Sequence, residues 1–264
     1  MDVIITGASR GIGRALALEL ASADRRLLLV ARDAERLAGV ESAVRERGGT
    51  ALSVPGDLST LAGAEALGAT LAAEVHAGAT LVHNAGVWPT RREVGTDGLE
   101  RAFVVNFLGP MRMQAPILAR ERLARCLVVG AGLMALGRID AQRTPIGADF
   151  SRLRTYCTTK LCFAVATRDV AAAHPDVDFL VMHPGVVRTD LGDSPGVLGA
   201  LVGLAKRLWE PPAVCAARLG RVLSRARWSP PGEARWMVEE AERPWPRAAE
   251  SAATRETVRA LAAR

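Results

Sequence analysis

The stretch "DVIITGASRGIG", residues 2–13, indicates both a fold and a ligand site. Its first residues are apolar and β-rich, as in a strand, and a glycine-rich turn then opens a helical pattern over 11–22. Gly7, Gly11 and Gly13 permit a tight turn, close approach of backbone amides to a pyrophosphate, and close packing of the helix on the strand. Because the start of that helix also offers unpaired N–H groups, this turn predicts a dinucleotide site.

Short apolar runs alternate with longer helical patterns through most of the chain. Runs that are hydrophobic at nearly every position are typical of strands buried on both faces of a parallel sheet. The alternation predicts an α/β fold in one domain over 1–264, with a doubly wound parallel sheet flanked by helices on both faces. The predicted strands are 2–6, 26–31, 51–55, 79–84, 126–130 and 177–183, and the predicted helices include 11–22, 33–47, 98–123 and 156–173.

Two segments after 177–183, which we take as the last strand of the core, depart from this alternation. Residues 191–213 are apolar, glycine-rich and bounded by prolines. A lid over a hydrophobic small-molecule substrate and an ordinary packed surface helix both fit this segment. Attachment to a membrane surface fits less well, because only Lys206 and Arg207 add positive charge nearby. Residues 246–264 start at a proline and predict a C-terminal helical tail.

The composition limits the classes of function. With 264 residues, 49% hydrophobic and 23% charged, the chain can bury a sizeable core. The net charge is +6, but aromatics are only 4% and arginines are spread along the chain, so we expect no nucleic-acid binding. The 4 cysteines form no CxxC pair, so no metal site is expected. The absence of a signal-peptide pattern and of an apolar run of about 18 residues predicts a cytoplasmic location without stable membrane insertion.

The end of the second predicted strand bears on the choice of nicotinamide cofactor. The sequence there is "VARDAERL", with Arg32 and Asp33 following the strand. An acid at this position favours NAD(H), whereas an arginine accepts the 2′-phosphate of NADP(H). Arg32 and Arg10 together favour NADP(H), and NAD(H) stays open. The alternatives are a solvated charge for Arg32 and a helix N-cap for Asp33.

Six motifs occur in a fixed order along the chain: "TGASRGIG" (6–13), "DL" (57–58), "HNAG" (83–86), Asn106 in "VVNFLGP", "YCTTK" (156–160) and "HPGVVRTDL" (183–191). Taken together, they resemble the short-chain dehydrogenase/reductase family over residues 2–190. "LGRID" (136–140) and the sequences around 156–161 and 183–191 are most similar to the retinol-dehydrogenase-type branch of that family. The resemblance implies a Rossmann-type single domain, hydride transfer between a nicotinamide and an alcohol or carbonyl carbon, and a homodimer or homotetramer.

The resemblance also implies which residues contact the cofactor. The first glycine turn would hold the phosphates, the loops after the third and fourth strands the adenine and the ribose, and the loop after the sixth strand the nicotinamide. Thr189 would bind the carboxamide, and His83 replaces an asparagine usual in the family. The expected cofactor-binding residues are Gly7, Ser9, Arg10, Gly11, Ile12, Gly13, Arg32, Asp57, Leu58, Asn84, Ala85, Gly86, Tyr156, Lys160, Pro184, Gly185, Val187 and Thr189.

Tyr156 is the only tyrosine of the chain, and Lys160 follows it by four residues, which puts both on one face of a helix. We expect the ammonium and an oxidised nicotinamide to lower the phenol pKa from about 10, so that Tyr156 acts as general acid in reduction and general base in oxidation. Lys160 would also bind the nicotinamide ribose, and Asn106 would hold a water that connects Lys160 to solvent. The alternative is a pair with no chemical role on an amphipathic helix.

A hydroxyl that the family normally has is missing after the fifth strand. The family places a serine there, but residues 126–140 contain no Ser, Thr or Tyr. The spacing of the retinol-dehydrogenase branch puts Ala131 at that position, and a one-residue gap puts Gly130 there. Losing such a donor typically costs about 10²–10³-fold in rate. This leaves open a slower or specialised reductase, proton transfer without net redox, and cofactor binding without turnover. Ser151 and Thr155 are candidates to replace the hydroxyl.

Overall fold

A computed structural model describes residues 1–187 and 209–264 of the chain. The described strands are β1 (Asp2–Thr6), β2 (Arg26–Ala31), β3 (Thr50–Pro55), β4 (Ala79–His83), β5 (Leu123–Val129), β6 (Asp178–His183), β7 (Ala234–Val238) and β8 (Ala241–Arg243). The helices are α1 (Gly11–Glu19), α2 (Ala34–Glu46), α3 (Leu61–Glu74), α4 (Arg101–Phe103), α5 (Gly109–Ala119), α6 (Arg152–Ala173), α7 (Pro212–Leu223), α8 (Arg247–Glu250) and α9 (Ala252–Ala262).

The strands form one sheet in the order β3-β2-β1-β4-β5-β6-β7-β8. All neighbours from β3 to β7 pair in parallel, and β8 pairs antiparallel to β7. Helices α1, α2 and α7 pack on one face, and α3, α5, α6 and α9 pack on the other. The predicted doubly wound α/β fold is therefore confirmed. The strand order reverses between β1 and β4, which is where ligands bind in folds of this kind.

The six predicted strands are present with shifts of a few residues at their ends. They were recognisable because their side chains are buried from both sides; every residue of β1 and β4 is buried. The predicted helix 98–123 is interrupted instead of continuous. A π-helical turn (Val104–Leu108) separates α4 from α5, and this widened turn carries Asn106.

The expectation that 177–183 is the last strand of the core was wrong. β7 extends the sheet in parallel, with Val181 opposite Trp236, and β8 forms its antiparallel edge. The signal was weak in the sequence because β7 has only five residues, includes Arg235, and follows a Pro-Pro-Gly turn. Pairing with β6, which is a long-range contact, stabilises β7 although the sequence pattern of β7 alone does not predict a strand.

The segment 191–213 lies mostly outside the described residues, and only its last part, at the start of α7, is described. The region 246–264 contains two helices, α8 and α9, with Ser251 capping the second. Val258 and Leu261 of α9 are buried against α6. Within the two described ranges, no helix combines the length and the apolar character needed to cross a bilayer.

Candidate active site

The glycine turn after β1 adopts a backbone that other residues would strain. Gly7 and Gly11 have φ of +69° and +55°, in the left-handed region. A Cβ at Gly7 would lie 3.0 Å from the Cα of Ala85, and a Cβ at Gly13 would lie 2.3 Å from the Gly7 carbonyl oxygen. The turn is therefore packed tightly against the start of α1, as the sequence predicted, and also against the loop after β4.

Two side chains that join β1 to the loop after β4 fix this turn. The Thr6 hydroxyl accepts hydrogen bonds from the backbone N–H groups of Asn84 and Ala85, both at 3.0 Å. The Asn84 amide donates to the Thr6 carbonyl at 2.9 Å and more weakly to the Gly7 carbonyl at 3.4 Å. Thr6 was not among the predicted site residues, because its role depends on a loop 78 residues away along the chain.

The N-terminus of α1 has the features of an anion site. Its cap residue, Arg10, has an extended backbone and makes no side-chain cap hydrogen bond. The first N–H groups of a helix have no intrahelical acceptor, so those of Gly11, Ile12 and Gly13 are available to an anion. Ser9 is half-buried beside them, and the Arg10 side chain is exposed. The close approach that the glycines allow, together with these donors, fits the pyrophosphate of a dinucleotide.

Arg32, Asp57 and Leu58 follow the carboxyl ends of β2 and β3, on the same edge of the sheet. Arg32 Nε lies 4.0 Å from Asp57 Oδ1, and both side chains are about half exposed. The Asp57 carboxylate accepts from the Ser59 backbone N–H at 3.0 Å and from its hydroxyl at 2.7 Å. Leu58 is buried. Asp33, in contrast, caps α2 by accepting from the Arg36 N–H at 3.0 Å, which is the N-cap role that its position allowed.

Tyr156 and Lys160 lie on α6 beside the ends of β4 and β5. Both are buried, with 8% and 7% of their surface exposed. The Lys160 ammonium donates to the carbonyl of Val129, the last residue of β5, at 3.0 Å. A Cβ at Gly86 would lie 3.3 Å from both Lys160 Nζ and Asn106 Oδ1. Gly86, Asn106 and Lys160 therefore meet at one point, although they are far apart in the sequence.

Asn106 fixes the backbone of the loop after β4. Its amide oxygen accepts from the Val87 N–H at 2.7 Å, and its amide nitrogen donates to the Val87 carbonyl at 2.9 Å and to the Thr159 hydroxyl at 3.1 Å. Thr159 in turn donates to the Tyr156 carbonyl at 3.0 Å. The side chain of Asn106 thus joins the loop to the helix that carries Tyr156. Thr159 was also missed from the sequence, since a threonine within a helix usually serves only its own turn.

The pKa of Tyr156 is raised in the protein chain by itself, and the lowering expected with an oxidised nicotinamide bound stays a prediction. Burial raises the pKa of the phenol to about 12, assisted by the neighbouring Cys157. Burial also lowers the pKa of the Lys160 ammonium to about 8. The Lys160 ammonium bonds to the Val129 carbonyl, and no hydrogen bond joins it to Tyr156 among the described residues. Any lowering of the phenol pKa requires a further positive charge.

His83, which stands where the family has asparagine, is a buried neutral imidazole. Its Nε2 lies 3.0 Å from Gln114 Oε1, and its ring packs edge-on against Phe163 with centroids 5.1 Å apart. Because a glutamine oxygen only accepts, Nε2 carries the proton. Burial lowers the pKa of His83 to about 4, opposed by the bond to Gln114 and assisted by the charge of Lys160.

The backbone after β5 distinguishes the two candidate positions for the missing serine. A Cβ at Gly130 would lie 3.0 Å from Val181 Cγ1 and 3.2 Å from the Trp236 ring, so Gly130 faces the packed core. Ala131 follows in an extended conformation and caps the 3₁₀ turn Gly132–Leu136, which packs against α6. These contacts favour Ala131 as the position that lacks the hydroxyl.

Ser151 and Thr155, which the sequence offered as replacements, are used to begin α6. The Ser151 hydroxyl accepts from the Arg154 N–H at 3.2 Å, and the Thr155 hydroxyl accepts from the Ser151 N–H at 3.3 Å. This is a reciprocal cap that satisfies free N–H groups at the helix start. Neither hydroxyl bonds to Tyr156 in the described structure.

The loop after β6 contains Pro184, Gly185 and Val187. Gly185 has φ of +101°, and Val187 forms an isolated parallel bridge with Glu210. These residues lie at the same carboxyl edge of the sheet as the glycine turn. Thr189 lies outside the described residues.

Comparison with known proteins agrees with this architecture. The family model described as short chain dehydrogenase matches residues 2–132. A bovine protein (Bos taurus) named "Dehydrogenase/reductase SDR family member 12" is 32% identical over 78% of this chain and 65% of its own length. Human "Retinol dehydrogenase 12" is 31% identical over 72% of this chain and 62% of its own length. The chain thus spans slightly less than two thirds of these two relatives.

One bacterial relative and one solved structure extend the comparison. The Streptomyces sp. (strain C5) protein named "Putative daunorubicin C-13 ketoreductase DnrU" is 34% identical over 72% of this chain and 67% of its own length. The alcohol dehydrogenase of the archaeon Thermococcus sibiricus, solved with 5-hydroxy-NADP, superposes with a TM-score of 0.66 at 25% identity, covering 92% of this chain and 98% of that one. From the family match, these relatives and the fold, the chain belongs to the short-chain dehydrogenase/reductase family of oxidoreductases and is similar to retinol dehydrogenases.

Proposed function

We propose that this protein is an NADP(H)-dependent oxidoreductase that interconverts a carbonyl and an alcohol on a hydrophobic small molecule. The observation that carries the proposal is the convergence of Gly86, Asn106 and Lys160, with Tyr156 one helical turn before Lys160. The glycine turn, with its open helix N-terminus and blocked Cβ positions, fits a dinucleotide at the same edge of the sheet. Relatives named as a ketoreductase and as a retinol dehydrogenase act on carbonyl or alcohol groups.

In this proposal the cofactor supplies or accepts the hydride, and the chain supplies the proton and the geometry. Tyr156 donates its phenolic proton to the carbonyl oxygen during reduction, and it accepts the alcohol proton during oxidation. Its pKa of about 12 keeps it protonated until the positive charge of an oxidised nicotinamide is present. Lys160, fixed by Val129, binds the nicotinamide ribose, and Asn106 holds the loop that forms its floor.

Arg32 supports the preference for NADP(H). Its guanidinium is exposed at the end of β2, and Asp57, its neighbour at 4.0 Å, is also bound by Ser59. The carboxylate next in the chain, Asp33, is used as a helix cap. A 2′-phosphate would therefore meet an arginine and not an acid at this position, and Arg10 lies on the neighbouring turn.

Exposed apolar side chains support a hydrophobic substrate. Leu133 and Leu136 are exposed on the turn after β5, Leu153 is exposed one turn before Tyr156, and Val186 is exposed on the loop after β6. All four belong to segments that carry Ala131, Tyr156 or Gly185, and exposed apolar surface beside a site suits a hydrophobic ligand. Together with the lost serine hydroxyl at Ala131, they favour a bulky apolar ketone or aldehyde over a polar one.

The test is a panel of hydrophobic ketones and aldehydes with NADPH, followed by the nicotinamide absorbance. We expect turnover in the unaltered protein and a loss of about 10²–10⁴-fold in Tyr156→Phe, with NADPH binding retained. The phenolic hydroxyl makes no hydrogen bond with other described residues, so the thermal stability of this variant is expected to stay close to that of the parent. Turnover that persists in Tyr156→Phe would contradict the proposal.

Thr158→Val is the matched control on the same helix. The Thr158 hydroxyl donates to the Arg138 carbonyl at 3.0 Å and accepts from the Arg138 N–H at 3.1 Å. Its removal is expected to lower the melting temperature while kcat is retained. The two variants thus separate a hydroxyl used for chemistry from one used for folding.

Ala131 favours a second candidate function. A site without the serine donor suits proton transfer without net redox, such as isomerisation or dehydration, or NADP(H) binding without turnover. Tight NADPH binding with no oxidation across the carbonyl panel would favour this candidate. A cytoplasmic location and a homodimer or homotetramer stay predictions, tested by cell fractionation and by light scattering.

A further inference from the structure

Arg218 of α7 lies beneath the loop after β6, where it is 8% exposed. Its Nη1 donates to the Pro184 carbonyl at 2.5 Å and to Glu210 Oε2 at 2.8 Å, and its Nη2 donates to Glu210 Oε1 at 2.9 Å. Glu239 lies 4.0 Å away on the other side. A guanidinium held by two parallel bonds to a carboxylate is fixed in orientation as well as position.

The loop is shaped around this guanidinium. A Cβ at Gly185 would lie 2.8 Å from Arg218 Nη1 and 3.2 Å from Glu210 Oε2, and Gly185 has φ of +101°. Both the space and the backbone therefore require glycine while the ion pair is in place. The close packing explains why the turn takes this conformation in the sequence "HPGVV" (183–187).

The partners of Arg218 hold the same loop at further points. The Glu210 N–H donates to the Val186 carbonyl at 3.1 Å, and Glu210 forms a bridge with Val187. The Glu239 N–H donates to the His183 carbonyl at 2.7 Å, from a left-handed backbone with φ of +56°. Residues 183–187 are thus held by Arg218 of α7, by Glu210 and by Glu239 of the β7–β8 turn, and Arg218 pairs with both glutamates.

We propose that Arg218 is a positioning residue that, through its bidentate ion pair with Glu210, holds residues 184–187 in the shape that receives the nicotinamide half of the cofactor. The inference rests on the proposed function. Arg218 makes no contact with the cofactor in this proposal, and acts through the Pro184 carbonyl and the Gly185 turn. The adenosine half would bind at the ends of β2 and β3, which are separated from β6 by three and four intervening strands of the sheet. Loss of Arg218 should therefore weaken the binding of the nicotinamide half and leave the binding of the adenosine half unchanged.

The experiment compares binding of NADPH with binding of 2′,5′-ADP, which carries only the adenosine half, by isothermal titration calorimetry. Arg218→Met is expected to weaken NADPH at least about 10-fold while 2′,5′-ADP binding stays within about 2-fold. Arg218→Lys keeps the positive charge but lacks the planar guanidinium that makes two parallel bonds to Glu210. We expect a smaller loss of NADPH affinity, again with little change for 2′,5′-ADP. The control is Arg221→Met, one turn along α7: Arg221 also binds a glutamate, Glu240, with two bonds of 2.9 Å, but it is exposed and touches no residue of 184–187.

Equal weakening of both ligands in Arg218→Met, or unchanged NADPH affinity in the folded variant, would overturn the inference. If Arg218→Met does not fold, Glu210→Gln decides by the same criterion, because it removes the charge of the partner and keeps the backbone bond to Val186. An unaltered protein that binds neither ligand would instead refute the proposed function. The two failures are therefore distinguishable.

Discussion

The indole ring of Trp88 lies against the phenol ring of Tyr156, with centroids 4.4 Å apart and planes tilted by 35°. Trp88 follows Val87, whose N–H and carbonyl are both bound by the Asn106 amide. Asn106 also bonds to Thr159, which bonds to the Tyr156 carbonyl. The Asn106 amide therefore fixes both the loop that carries the indole and the helix that carries the phenol. The contact between the two rings joins the loop and the helix a second time.

We predict that Trp88→Ala lowers kcat/KM about 10-fold, because the phenol loses the ring that restricts its orientation. Aromatic pairs of this kind contribute about 0.5–1.5 kcal/mol beyond their buried area, which corresponds to about 2- to 13-fold. Trp88→Phe keeps an aromatic ring and is expected to stay within about 3-fold of the parent. Steady-state kinetics on the best carbonyl of the panel measure both, and an unchanged kcat/KM in Trp88→Ala would show that the contact is not used in catalysis.

Ala131→Ser is predicted to increase turnover, and Gly130→Ser to destabilise the fold. A serine at Ala131 would restore a donor worth about 2.7–4 kcal/mol in related sites, an increase of up to about 10²–10³-fold in kcat. At Gly130 the added atoms would press on Val181 and Trp236, and such overpacking costs about 1–3 kcal/mol. Melting curves and kinetics of the two variants distinguish these outcomes. A gain of activity at Gly130 instead would reverse the assignment of the serine position.

The sequence was informative where the function depends on neighbours in the chain. The glycine turn, the Tyr156–Lys160 spacing and the six apolar strands are local patterns, and the structure contains the turn, the shared helix and the strands. It was uninformative where partners are distant: Thr6 with Asn84, and Arg218 with Pro184, are pairs joined only by the folded sheet. The raised pKa of Tyr156 in the chain by itself could not be predicted from the sequence, because burial is a property of tertiary packing.

His83 should make the stability of the protein depend on pH between about 6.5 and 4. Its folded pKa of about 4 lies below the unfolded value of 6.5, so acid protonates the unfolded chain first. The free energy of unfolding is therefore unaffected by this group above pH 6.5, and falls by about 3 kcal/mol as the pH drops to 4.

His83→Asn, which introduces the residue usual in the family, removes this group and should flatten the profile. Urea unfolding of the parent and the variant between pH 7 and 4, with all buffers at the same ionic strength, measures the difference in the free energy of unfolding. Parallel profiles for the two proteins would mean that His83 is not protonated on unfolding in this range.

Arg32→Ala is predicted to weaken the binding of NADPH much more than the binding of NADH. A charge-assisted hydrogen bond contributes about 1.5–3 kcal/mol, so removal of the guanidinium that meets the 2′-phosphate should cost about 10- to 150-fold for NADPH and little for NADH. Arg36→Ala is the control, since Arg36 is equally exposed at the start of α2 but pairs with the cap residue Asp33 at 3.1 Å. Calorimetric titration of both cofactors measures the ratio of the two dissociation constants. Equal losses for both cofactors would mean that Arg32 contributes only to the general positive potential of this edge, and the preference for NADP(H) would then have to come from Arg10.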